Sequence, residues 1–329
     1  MEIKEIVGID MSKKTFDGYI HLKGIHEAFE NTVAGFRKFK KWLQKHLGKD
    51  LSAVRVVLEF TGHYTYQLEE YMHREGMFFS KASGLAIKRS LGLVRGKDDK
   101  IDAKRIAEYG SEKRAKLKVF PRQDKTLFVL KNLISLRDKL VREKAGYVVR
   151  LKEMQACLDI SAGDILLKVQ QTMIDVIAKQ VEKLNNEIQG LLNQDEAIGR
   201  NYGLLTSIKG IGPVLATYVI AYTNNFTRFD NARQFACYVG IAPFPYKSGT
   251  SIRGKTKVSP LANRKIKSIL YLCASTAIQH NDELKAFYER RIKAGKNEMS
   301  TLNVIRNKIV SRMFAVIREQ QPYSTTFPV

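Results

Sequence analysis

The chain has 329 residues, 44% of them hydrophobic and 27% charged, and its 56 Lys or Arg against 33 Asp or Glu give a net charge of +23. That length predicts two or three domains, and the composition excludes a disordered chain. The charge, with a pI near 9.8, points to nucleic acid as the partner.

In chain order, residues 3–9 (IKEIVGI) form an apolar β-branched run that leads directly to Asp10. TFDGYIHL (15–22) and AFENT (28–32) read as two further short strands. GFRKFKKWLQKHL (35–47) places Phe36, Phe39, Trp42, Leu43 and Leu47 at helical spacing. VRVVLEF (54–60) is a buried-strand pattern that carries Glu59 and is followed by a TG turn. A helix stopped by Gly76 and a strand over MFFSKAS (77–83) come next. Strands alternating with helices predict an α/β layer.

Residues 124–195 are poor in Gly and Pro and dense in charge. Leu167, Ile174, Ile177, Val181, Leu184, Ile188 and Leu191 keep heptad spacing, broken only by the polar Gln170. A looser apolar set runs through Leu133, Leu140, Tyr147, Leu151 and Met154, and Ser161 to Asp164 suit a turn between two helices. The expectation is an antiparallel helical hairpin or coiled-coil arm that mediates assembly, with a plain helical subdomain packed on the core as the alternative. The predicted domains are 1–123, 124–198 and 199–329.

From residue 200 the chain is helical and Gly-punctuated. TSIKGIGPVLATYVIA (206–221) resembles a helix-hairpin-helix element, with Lys209, Gly210 and Gly212 placed to approach a phosphate. Between Lys247 and Lys267 the sequence predicts a basic loop. Its seven cations are Lys247, Arg253, Lys255, Lys257, Arg264, Lys265 and Lys267, with no Asp or Glu among them. Such a loop suits phosphate contact. Ser248-Gly249 lies inside it, and no histidine is near in sequence to activate the hydroxyl.

The three cysteines, Cys157, Cys237 and Cys273, are far apart, without a CxxC pair. This argues against a zinc site and a disulfide scaffold and for a reducing compartment. No signal-peptide pattern or membrane-length apolar run is present, so a cytoplasmic location is expected.

GKDDKIDAKRIA (96–107) sets Asp98, Asp99 and Asp102 together in this basic chain. On a helix, either Asp99 or Asp98 shares a face with Asp102. Asp10 and Glu59 stand at strand ends, where α/β sheets gather their ligands. Carboxylates converging there need a cation, and Mg²⁺ (or Mn²⁺) takes such oxygen ligands and serves phosphoryl transfer.

Taken together, these motifs resemble the DEDD insertion-sequence transposases of the "IS-one-ten" type, relatives of the Piv and MooV DNA invertases. Some members are bridge-RNA-guided recombinases. The matching stretches are GID at Gly8–Asp10, EFTGHY at Glu59–Tyr64, the D-x-x-D-A of Asp99–Ala103, GIGP at Gly210, RFDNARQFACYVGIAP at 228–243, and the P-x₄-S-G of Pro243–Gly249. The resemblance implies an RNase H-like (RuvC-like) N-terminal domain, a coiled-coil middle and a mainly α transposase domain. It implies Asp10, Glu59, Asp99 and Asp102 as metal ligands and Ser248 as the nucleophile bonded to DNA. It further implies donor and target DNA, a structured guide RNA, and a dimer or tetramer in which one subunit's acids meet another's serine. The chain departs from the family pattern at Asp98, at Ala262 and at Ile266-Lys267. The alternative reading is a RuvC-like, metal-dependent, structure-selective endonuclease with water as nucleophile; a non-enzymatic nucleic-acid-binding protein is the third.

Overall fold

The structure is a computed structural model that describes residues 2–60, 62–90, 99–122, 124–157, 164–248 and 252–324; the side chains at 99, 246–248, 252, 253 and 255 are outside it. The chain divides into two units, 1–122 and 123–329.

The first unit begins with β1 (Glu5–Met11), β2 (Thr15–Ile20), β3 (Ile25–Glu30), α1 (Val33–Leu47) and β4 (Val54–Glu59). It continues with α2 (Tyr66–Arg74), β5 (Phe79–Ala82), α3 (Gly84–Ser90) and α4 (Asp99–Glu112). The five strands form one sheet in the order β3-β2-β1-β4-β5. The first three pair antiparallel, whereas β4 lies parallel to both β1 and β5. β1 and β4 are apolar at nearly every position because both faces of the central strands are covered.

Alternation along these strands defines the faces. Val7, Ile9, Val56 and Leu58 enter one core with Phe36, Phe39, Trp42 and Leu43 of α1 and with Leu68 and Met72 of α2. Phe16 and Phe29 join it, their ring centroids 5.3 Å apart. Ile6 and Val57 face the opposite way and pack on Ala103, Ile106 and Ala107 of α4. Thr32 caps α1, its hydroxyl accepting from Gly35 N at 3.2 Å.

The second unit is mostly helical. It comprises α5 (Lys125–Cys157), α6 (Ile165–Gln194), α7 (Glu196–Thr206), α8 (Pro213–Thr223) and α9 (Ala232–Tyr238). After these come β6 (Pro243–Ser248), β7 (Ile252–Val258), α10 (Arg264–His280), α11 (Asp282–Lys293) and α12 (Glu298–Glu319). The start of α5 (Leu127, Leu130, Ile134) and the end of α6 (Ile188, Leu192) both enter the core formed by the later helices, so the two long helices run antiparallel. The heptad series of α6 thus has its partner within the chain, and Arg137 Nε donates to Asn185 Oδ1 across the pair at 2.6 Å. Of the turn expected over 161–164, residues 161–163 lie outside the described residues, while Asp164 caps α6 and accepts from Leu166 N at 2.8 Å.

One expectation is corrected. The basic stretch after Pro243 is a β-hairpin followed by the first turn of α10, not a loop. β6 and β7 pair antiparallel, with an irregularity between Phe244 and Tyr246. Pro245 sits in that gap and has no N–H to give to a ladder, which accounts for the break. Among the described residues, no helix is long and apolar enough to cross a membrane.

Candidate functional site

In the first unit, the β1–β4 register pairs Ile9 with Leu58, so Asp10 and Glu59 follow side by side at the same end of two parallel strands. By alternation both belong to the face of Ile6 and Val57, the face that α4 covers. α4 is seated unusually close. A Cβ on Gly8 would stand 2.2 Å from the Ala103 carbonyl oxygen and 2.4 Å from the Ala107 nitrogen. A Cβ on Gly110 would meet Ile6 and Val57 at 2.8 Å. The small residues Gly8, Ala103, Ala107 and Gly110 therefore let the helix lie directly on the two strands. Position 99 is one helical turn before Ala103, and Asp102 one turn before the buried Ile106. The helix thus brings its acidic start to the strand ends that carry Asp10 and Glu59.

The electrostatics agree with this placement. Burial, and then the charge of Asp102, raise the Glu59 carboxyl above the ordinary carboxylate range. Asp102 accepts from Arg105 Nη1 at 2.7 Å. The Glu59 carboxylate also abuts the start of α3, since a Cβ on Gly84 would lie 2.1 Å from Glu59 Oε1. A further acid escaped sequence reasoning. Asp17 stands opposite Asp10 in the β1–β2 register and pairs with His26 Nε2 at 2.7 Å. Its signal was present in TFDGYI, where Asp17 interrupts an otherwise uncharged strand.

Hard carboxylate oxygens are the donor set that Mg²⁺ or Mn²⁺ takes, and the mutual repulsion of Glu59 and Asp102 is what a cation relieves. Among the described residues, no group of three or more His, Cys, Asp or Glu side chains surrounds a common point. Asp98 and the Asp99 side chain lie outside the described residues.

In the second unit, α7 and α8 flank the expected GIG turn. Gly210 has φ +96°, and a Cβ there would meet Ala277 Cβ at 2.7 Å, so this glycine answers both to backbone conformation and to the close approach of α10. Burial, partly offset by the Gly212 backbone, raises the Cys273 thiol above the ordinary range. Lys209, Lys257 and Arg264 are exposed. Lys265 is ion-paired with Asp138 at 3.0 Å, and the same carboxylate accepts from Tyr218. Position 248 ends β6 opposite Ile252, and Lys247 pairs with Arg253. The side chains of Lys247, Ser248, Arg253 and Lys255 lie outside the described residues.

Comparison with known proteins matches both halves of the chain. Residues 7–159 match a DEDD-type IS110 family described as "Transposase", and residues 202–289 match the "Transposase IS116/IS110/IS902 family". The chain belongs to the IS110-type transposases. It is 25% identical to the pilin gene-inverting protein of Moraxella bovis over 326 residues, covering 97% of this chain and 98% of that protein. It is 23% identical to the transposase for insertion sequence element IS1111A of Coxiella burnetii, covering 97% of this chain and 91% of the relative. A probable family 20 transposase of Pseudomonas aeruginosa is 22% identical, covering 87% and 90%. This IS110-type chain is thus a DNA transposase or recombinase, an enzyme of phosphoryl transfer. Its Asp10, Glu59 and Asp102 sit in the half that bears the DEDD description.

Proposed function

We propose that this transposase cuts and rejoins DNA at the ends of an insertion sequence by two transesterifications through a phosphoserine intermediate. The observation that carries the reading is the side-by-side placement of Asp10 and Glu59 under the acidic start of α4, with the Glu59 carboxyl pushed up by burial and by Asp102. Asp10, Glu59, Asp99 and Asp102 would hold Mg²⁺ or Mn²⁺, which when bound polarises a phosphodiester and stabilises the charge that builds on its oxygens. Asp17, beside Asp10, adds to the negative field of the site.

Ser248 is the nucleophile. Its Oγ bonds to phosphorus as one ester P–O bond breaks, and the departing DNA oxygen takes up the proton that the serine loses. A DNA hydroxyl then attacks the phosphoserine, and Ser248 recovers its proton as it leaves. Phosphodiester count is conserved, so no nucleotide triphosphate is consumed. The cations of the hairpin and of α10 hold the backbone in register.

The mixed strand order supports an RNase H-like (RuvC-like) reading of the first unit. The acids and the serine belong to different units, which suits a dimer or tetramer in which one subunit's acids serve another's serine. The long pair of α5 and α6 supports a coiled-coil arm, since Ile165, Val169, Met173 and Val176 remain exposed on α6 after it has packed on α5. A structured guide RNA would choose donor and target by base pairing, leaving the protein to read backbone and shape.

The test is cleavage of DNA carrying an element's ends, in the presence of its RNA. Activity should require Mg²⁺ or Mn²⁺, disappear with chelation, and be lost in Asp10→Asn and in Glu59→Gln without loss of fold. Cleavage that persists in both variants would overturn the acidic-site reading.

A further inference from the structure

The second unit holds a concentration of positive charge that the hairpin does not account for. Arg306, midway along α12, is only 7% exposed. A guanidinium at that depth ordinarily meets a carboxylate or a set of carbonyl acceptors. Among the described residues Arg306 makes no hydrogen bond or ion pair, and its Nε is buried without a partner. The charge it faces is another cation, Lys267 of α10. Burial, and then Arg306, hold the Lys267 ammonium below the ordinary lysine range. The Tyr271 ring, one turn along α10 from Lys267, lies 5.9 Å from the Arg306 guanidinium. This orients the group but supplies no counter-charge.

The same stretch of α12 holds the root of the hairpin. Asn303 and Asn307, on either side of Arg306, both donate to the Ile241 carbonyl, at 2.9 Å and 3.1 Å. Ile241 is two residues before the start of β6. Among the described residues, a buried guanidinium beside a half-buried ammonium has no carboxylate partner, which is costly as a structural device, because an apolar pair of equal volume packs without that cost. The two cations are the arrangement that receives an anion, and a guanidinium fork matches two oxygens of a phosphate at once.

We propose that Arg306 and Lys267 form a binding site for one backbone phosphate of a nucleic acid. The inference rests on the reading that this unit binds nucleic acid, but not on the serine mechanism. The site is independent of base sequence and fixes the strand relative to the hairpin root. It adds to the basic hairpin a contact that α12 alone can supply. Arg306 is not in the basic stretch that sequence reading singled out, and on an amphipathic helix it reads as an ordinary surface arginine.

The experiment measures the affinity of the full chain for a labelled DNA duplex, and separately for a labelled RNA of the same length, between about 50 and 200 mM salt. Arg306→Met and Lys267→Gln should each weaken binding about tenfold or more. Each should also make the log–log salt slope shallower by about 0.9 for the one lost phosphate contact. The loss should fall on whichever nucleic acid occupies the site, DNA if the hairpin holds the reacting duplex and RNA if it holds the guide. Without nucleic acid, Arg306→Met should melt higher than the parent, because an unpaired buried charge has been removed. A merely structural Arg306 gives the opposite pair of results, a lower melting temperature and an unchanged slope, and would overturn the site. Should Arg306→Met fail to fold, Lys267→Gln carries the same slope test from a half-buried position. A parent chain that binds neither probe would refute the wider reading and the site with it. A parent that binds, with both variants matching it in affinity and slope, overturns the site alone.

Discussion

Gly8→Ala adds a single methyl group, and the structure puts that methyl 2.2 Å from Ala103 O, 2.4 Å from Ala107 N and 2.9 Å from Ala107 Cα. All three atoms belong to the backbone of α4, so no side-chain rotation relieves the clash, and trimming Ala103 or Ala107 cannot rescue it. The helix must retreat by about 1 Å to restore ordinary contact in a close-packed interior. Overpacking of this kind costs about 1–3 kcal/mol, which for a domain of this size lowers the melting temperature by about 3–15 °C. The larger effect falls on chemistry, because the retreat carries Asp99 and Asp102 away from Asp10 and Glu59. A misplacement of about 1 Å costs on the order of 10²-fold in rate. The assay is cleavage of element-end DNA alongside thermal melting of the same preparations. Gly18→Ala is the control, since a Cβ there meets Phe29, Phe39 and Trp42 at no less than 3.4 Å. If Gly8→Ala cleaves and melts like the parent while Gly18→Ala is also silent, α4 is not seated on β1, and the proposed convergence of acids fails with it.

Two further predictions rest on other parts of the molecule. Burial is the leading cause that holds His73 below the ordinary imidazole value, its Nε2 is buried without a partner, and its ring packs 4.8 Å from Phe79. The unfolded chain therefore binds a proton at higher pH than the folded one does. Stability of the first unit should fall as pH drops below the ordinary imidazole value of about 6.5, and this part of the fall should be missing in His73→Phe, as read by melting temperature against pH. Val169→Glu with Val176→Glu charges the exposed stripe of α6 and should lower the oligomeric state in sedimentation without changing helix content, whereas Ile177→Glu strikes the buried seam and should reduce helix content itself. An unchanged oligomer in the first variant would mean that the arm does not mediate assembly.

Much of the first unit is legible in its sequence because its signals are local. The apolar runs of β1 and β4 and the amphipathic spacing of α1 identify those elements directly, and Asp10 and Glu59 end the two runs. The role of Gly8 is not legible, because the atoms that exclude a side chain there come from a helix about a hundred residues later in the chain. The hairpin of β6 and β7 was hidden for a different reason. Arg253, Lys255 and Lys257 do alternate with Ile252, Gly254, Thr256 and Val258, but the hairpin has only two strands and its described side chains are exposed, so the run of cations dominated the pattern and no buried apolar face marked a strand. The heptads of α6 did signal a partner helix, but periodicity does not say whose. In the structure that partner is α5 of the same chain, and Val169, Met173 and Val176 stay exposed on α6.

Strand breakage through the proposed protein–DNA ester at Ser248 can be observed directly. The direct measurement combines the protein with its RNA, end-labelled donor and target DNA and Mg²⁺, stops the reaction with denaturant, and looks for label that migrates with the polypeptide. The expected result is a covalent adduct that maps to Ser248 and vanishes in Ser248→Ala, and also in Asp10→Asn. Cut DNA without any adduct, formed equally well by Ser248→Ala, would contradict it and identify water as the nucleophile.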